Sequence, residues 1–145
     1  MMLQEILRNK GSNVFTIAPD ATLEDVVQKL VGHNCGSLVV CEADERASGR
    51  LSGIVTERDI LKATAAHKQL DRVKVAEVMT RDVITGTPAD SVEDTMGLMT
   101  ENRIRHLPIV EDGRLQGLIS IGDVVKAQHD QLTMENHYLK NYIQS

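Results

Sequence analysis

The chain repeats itself, and that fact constrains the fold more than any other. Gly49-Arg50-Leu51-Ser52-Gly53-Ile54-Val55-Thr56-Glu57-Arg58-Asp59 reads against Gly113-Arg114-Leu115-Gln116-Gly117-Leu118-Ile119-Ser120-Ile121-Gly122-Asp123, 64 residues later. Upstream, Pro19 matches Pro88 and Leu38 matches Leu107, each 69 residues apart. The difference falls in one polar turn, Glu42 to Ser48 in the first copy and only Glu111-Asp112 in the second. Loop-closure entropy grows slowly with length, so a turn tolerates such an insertion. A unit of roughly 60 residues buries too little apolar surface to stand alone. The two copies are therefore expected to pack together through their sheets, about a pseudo-two-fold axis.

Each copy reads as β-α-β-β-α, an α+β fold. A short extended piece comes first, Val14-Phe15-Thr16 in one copy and Val83-Ile84-Thr85 in the other. A helix follows. Leu23, Val26, Val27, Leu30 and Val31 recur at the spacing of a half-buried helix, with Thr22 as cap and Glu24-Asp25 behind it. Ser91, Glu93-Asp94, Val92, Met96 and Met99 repeat the pattern. Two strands come next, Ser37 to Cys41 with Leu51 to Val55, and His106 to Val110 with Leu115 to Ile119. A second helix starts at Thr56 or Ser120. Val75, Val78 and Met79 mark the connection as a packed linker. These signals place the first repeat at residues 10–66, the second at 79–130 and a helical tail at 131–145. The tail and the N-terminal Leu3-Ile6-Leu7 stripe read as dimer contact or lid, with a frayed, solvated tail as the alternative.

Composition removes several function classes. With 16 basic and 21 acidic residues the net charge is −5, against a general nucleic-acid binder. The aromatics are only Phe15, Tyr138 and Tyr142, too few for a base-stacking platform. No run reaches the ~20 apolar residues that cross a bilayer, and the start lacks a secretory core, so a cytoplasmic, membrane-free protein is expected. Cys35 and Cys41 read as two buried thiols, without the spacing of a redox pair or metal site.

Two features carry chemistry. Thr56-x-x-Asp59 puts a hydroxyl at a strand end and a carboxylate in the first turn of a helix. Free backbone N–H groups there favour a phosphate, and an aspartate accepts well from two ribose hydroxyls. Ser120 and Asp123 repeat the arrangement. The same pattern is also close to a capping box, which needs no ligand. The second feature is Arg103-Ile104-Arg105-His106-Leu107-Pro108. Its guanidinium groups suit a phosphate chain, and a solvated turn is the alternative. No catalytic motif and no metal-ligand spacing occurs, so catalytic and metal residues are expected to be none.

Together, the two β-α-β-β-α copies, the Gly-aliphatic-aliphatic-Thr/Ser-x-x-Asp endings, Arg103 to Pro108 and Val78-Met79-Thr80 resemble a tandem CBS (cystathionine-β-synthase-type) domain pair, or Bateman module. The resemblance covers nearly the whole chain and implies a stand-alone homodimer that binds adenine-containing ligands between its repeats. AMP, ADP, ATP, NAD(H) or S-adenosylmethionine are the expected ligands. It implies one cleft where Thr56, Arg58 and Asp59 face Met79 to Val83 and Arg103 to Pro108, including Ile104, Arg105 and His106. It implies a second where Ser120 and Asp123 face Val14, Cys35, Gly36 and Ser37. Gly122 stands where the first motif has Arg58, so the Asp59 cleft is expected to gather most of the positive charge and to prefer the longer phosphate chain. The functional expectation is a non-enzymatic sensor read by a downstream protein, with a ligand-free dimeric scaffold as the alternative.

Overall fold

A computed structural model of the chain describes residues 1–11, 14–42 and 50–144. The long first-repeat turn expected at Glu42 to Ser48 lies, from Ala43 onward, outside the described residues. The element order is α1 (Leu3–Lys10), β1 (Thr16–Ile17), α2 (Leu23–His33), β2 (Ser37–Cys41), β3 (Leu51–Thr56), α3 (Glu57–Ala65), α4 (Val75–Val78), α5 (Val92–Asn102), β4 (His106–Glu111), β5 (Arg114–Ser120) and α6 (Ile121–Gln144). One sheet runs β1-β2-β3, with β1 parallel and β3 antiparallel to β2. The other is the antiparallel pair β4-β5.

The first helix of each repeat starts where its cap residues stand. The Thr22 hydroxyl accepts from the Asp25 N–H at 3.2 Å, and the Asp25 carboxylate accepts from the Thr22 N–H at 3.0 Å. The Ser91 hydroxyl accepts from the Asp94 N–H at 3.0 Å. Both helices stop on a left-handed residue, Asn34 at φ 50° and Arg103 at φ 54°. Leu23, Val26 and Leu30 are buried against Leu38, Val40 and Val55, whereas Val31 is 76% exposed. Each fully buried Leu or Val side chain is worth ~1.5–3 kcal/mol of transfer free energy.

The strands show why the two copies need each other. All five residues of β2 are buried, which a one-sided sheet cannot achieve. Leu38 and Val40 belong to the first repeat's core, while the alternate residues Val39 and Cys41 meet Leu115 of the second repeat. The sheets thus pack face to face through a small aliphatic cluster that also takes in Val14, Leu51 and Leu118. The same double coverage buries Leu107, Pro108 and Ile109 in succession. The Val83-Ile84-Thr85 segment makes no strand; only Gly86 bridges, in parallel, to Ile109. Val83 and Ile84 instead form part of a cleft wall described below.

The leading segments of the two repeats are exchanged. Val75 and Met79, expected in a packed linker, are buried in the first repeat's core. Leu3 and Ile6 are buried in the second repeat's core, with Leu7 packed beside them. The N-terminal stripe is therefore core, not dimer contact or lid. Backbone bonds fix both segments alike: the Val75 N–H donates to Ala21 O at 2.8 Å, and the Leu3 N–H donates to Asp90 O at 2.9 Å. Each repeat is closed by the other's first turn of chain. The last helix, α6, is continuous through the expected tail, and its residues from 129 to 144 are exposed.

Candidate functional site

A cleft of about 600 Å³ opens where β3 runs into α3, inside the usual size range of small-molecule sites. Its walls come from both repeats. Thr56 and Arg58 stand on the first repeat, Val83 on the connection, and Ile104, Arg105 and His106 at the start of β4. The family resemblance implied that these six share one cleft, and Thr80 and Asp82 in the lining fall within the same implied Met79-to-Val83 stretch. Ile54, Glu57, Leu61 and Ile84 line it as well. Aliphatic side chains thus share the lining with Arg58 of the first repeat and Arg105 of the second.

The other expected residues stand outside the lining. Asp59 sits behind the motif, its Oδ2 accepting from the Thr56 N–H at 2.8 Å and lying 3.4 Å from the Thr56 hydroxyl. The cap reading of this motif is thus realised in the structure. Met79 is buried beneath Gly53, where a β-carbon would come within 2.8 Å of the Met79 sulfur. Arg103 is exposed at the end of α5, where its left-handed backbone caps the helix, and Pro108 is buried in β4.

The second motif is arranged differently. The Ser120 N–H donates to Asp123 Oδ2 at 2.9 Å, and the Asp123 N–H donates to the Ser120 hydroxyl at 3.1 Å, a complete capping box. Lys10 adds an ion pair, its Nζ 2.6 Å from the same Oδ2. Burial acts to raise the Asp123 pKa, but the Lys10 bond and charge and the Ser120 N–H outweigh it, and the carboxyl lies below its ordinary value.

The structure adds to two expectations. Gly36, expected beside Ser120 and Asp123, also belongs to the Thr56 cleft. The Glu57 N–H donates to Gly36 O at 3.0 Å, so the turn before β2 lies against the first turn of its own repeat's α3. Gly36 lines the Thr56 cleft, and a β-carbon there would sit 2.6 Å from Glu57 Oε1. Cys35 borders a separate groove of about 380 Å³ with Val27, Val31 and Ile60, and its thiol reaches Ser37 O at 3.6 Å. Ser37 is buried and paired with Thr56 across the sheet, and Val14 packs into the inter-repeat cluster. The charge expectation also changes. Arg58 and Arg105 are matched in the cleft lining by Glu57 and Asp82, and the Asp123 motif carries a cation of its own in Lys10. Sequence reasoning missed Glu57 because an acidic residue in a helix's first turn reads as a dipole partner.

His106 lies between the two motifs, and its burial pushes the imidazole pKa below its usual value. Lys10 pushes the same way, Glu57 opposes it, and Arg105 and Asp123 add smaller effects of opposite sign. The folded state therefore binds this proton less readily than the unfolded chain. Stability is full above about pH 6.5 and is lost as the pH falls toward the folded pKa. We expect Tm to fall between about pH 7.5 and 5.5, and His106→Gln to flatten that fall. An unchanged Tm-against-pH slope in His106→Gln contradicts this.

Among the described residues no group of three or more His, Cys, Asp or Glu could hold a metal ion. Among the same residues no helix is long and apolar enough to cross a membrane.

Comparison with known proteins places the fold. The family model described as CBS domain matches residues 5–66 and 75–130. A CBS-domain containing protein from Agrobacterium tumefaciens superposes with a TM-score of 0.81 at 37% identity, covering 88% of this chain and 99% of that one. A CBS domain protein from Pyrobaculum aerophilum, complexed with AMP, gives 0.75 at 28% identity over 85% of this chain and 89% of that one. A CBS domain pair in complex with 5′-methylthioadenosine and S-adenosyl-L-methionine gives 0.77 at 26% identity over 90% and 98%. Two matched spans, two reciprocally closed repeats and neighbours of the same size lead to one conclusion: this chain belongs to the CBS domain family and carries two CBS repeats in tandem.

Proposed function

We propose that this chain is a non-enzymatic sensor of adenine nucleotides, and that the ligand binds in the Thr56 cleft. The observation that carries the reading is the position of Arg58 and Arg105 on walls contributed by different repeats. A phosphate held by both would tie the repeats together. Val83, Ile84 and Ile104 offer an aliphatic slot for a base. The solved relatives with AMP and with S-adenosylmethionine show that the architecture accepts adenosine compounds. AMP, ADP, ATP and NAD(H) are the ligands this lining fits. S-adenosylmethionine, lacking phosphate, offers the two guanidinium groups only its single carboxylate. Signalling follows if the ligand prefers one angle between the repeats, and the response to it cannot exceed that preference.

A homodimer belongs to the same proposal. Val125, Leu132, Leu139 and Ile143 recur along one stripe of α6 and are 50%, 61%, 58% and 79% exposed, a seam that a second copy can cover. Cytoplasmic residence and a downstream protein partner are also part of the proposal.

A second reading rests on the cap at Thr56 and Asp59, which is complete without ligand: the chain is then a dimeric scaffold that binds nothing. A thermal-shift panel of AMP, ADP, ATP, NAD, NADH and S-adenosylmethionine separates the two. Ligand at ~100 times its Kd adds ~2.7 kcal/mol, several degrees for a chain of this size. A selective shift supports the sensor. A flat panel, on protein free of co-purified nucleotide, leaves the scaffold.

A further inference from the structure

The two Thr/Ser-x-x-Asp motifs are equivalent in sequence but not in what touches them. In the first, Ile54 O accepts a backbone N–H, that of Thr80, at 2.9 Å. The equivalent oxygen in the second, Leu118 O, accepts instead from the Lys10 ammonium at 2.8 Å. The same Nζ lies 2.6 Å from Asp123 Oδ2. Asp59 has no ion-pair partner among the described residues.

Lys10 is also held in place. It ends α1, whose Leu3 and Ile6 are buried in the second repeat's core. Leu7 lies so close over Gly117 that a β-carbon there would meet its Cδ2 at 2.5 Å. The ammonium is thus delivered to Asp123 by an anchored helix. A carboxylate that already accepts from an ammonium and a backbone N–H on one oxygen is a poor acceptor for two ribose hydroxyls. Charge-assisted bonds of this kind are about twice as strong as neutral ones.

We propose that Lys10 occupies the second ligand position of the pair, so that each chain binds one nucleotide, at the Thr56 cleft, and the Asp123 position opens only when Lys10 leaves. The location of the first nucleotide rests on the function proposed above; the plugging of the second position does not. Lys10 is then the residue that sets the stoichiometry of the sensor.

Calorimetric titration with AMP tests this on the full chain. The parent, Lys10→Met and Lys10→Gln are compared, with thermal melts to verify folding. Met keeps the aliphatic stem and Gln keeps a polar end, so one of the two should remain folded. The parent should take one AMP per chain and the variants two. Adding Asp123→Asn to the variant should return it to one. Two AMP per chain in the parent, or the same stoichiometry in parent and variants, overturns the proposal. No AMP in the parent with one in the variants sustains the plug and overturns the Thr56-cleft assignment instead.

Discussion

Gly53→Ala should lower stability by about 3 kcal/mol, through overpacking and the disturbance of two backbone hydrogen bonds. At this chain length that is a fall in Tm of roughly 6–12 °C. A β-carbon on Gly53 would stand 2.6 Å from Thr80 O and 2.8 Å from the Met79 sulfur. The methionine can move. The carbonyl cannot, because Thr80 and Ile54 exchange bonds of 3.0 and 2.9 Å that dock the connection onto β3. The same addition at Gly117 would meet the far end of the Leu7 side chain rather than backbone, so Gly117→Ala should cost less. Gly97, inside α5 with open space around it, provides the control. Gly97→Ala should stabilise by roughly 0.5–1 kcal/mol, the ordinary helix preference. Chemical denaturation of the three variants checks the order. A Gly53→Ala as stable as the parent would mean that the connection does not lie where the structure puts it.

The second large effect concerns binding. Arg58→Ala and Arg105→Ala should each weaken ADP or ATP by roughly 10- to 100-fold, the loss of a charge-assisted hydrogen bond of about 1.5–3 kcal/mol. Adenosine, with no phosphate, should bind both variants nearly as well as it binds the parent. That contrast separates a phosphate contact from general damage to the cleft. The two substitutions lie on different repeats, so equal effects would show that one ligand spans both. If nucleotide affinity falls no further than adenosine affinity, the arginines are solvated surface groups, as the turn reading of Arg103 to His106 allows.

The repeat, the order of elements and the helix starts were readable because each rests on short-range pattern. Thr22 and Ser91 precede apolar stripes, and the Gly53 and Gly117 motifs align residue for residue. The grouping of the lining residues into one cleft was readable only through the family resemblance that those motifs carry. What escaped is non-local. The Leu3-Ile6-Leu7 stripe announces a buried face but not the surface that buries it, which here is the opposite repeat. Lys10 reads as a basic residue complementing a helix end, and its partner lies 113 residues away. A sheet covered on both faces buries neighbours as readily as alternate residues, as Leu107, Pro108 and Ile109 show.

Amide hydrogen exchange with and without AMP is the most direct test of a ligand bound between the repeats. The account predicts added protection in three separated stretches at once: Ile54 to Asp59, Thr80 to Ile84, and Ile104 to His106. Protection confined to one repeat, centred on Ser120 and Asp123, or absent at saturating AMP would contradict it.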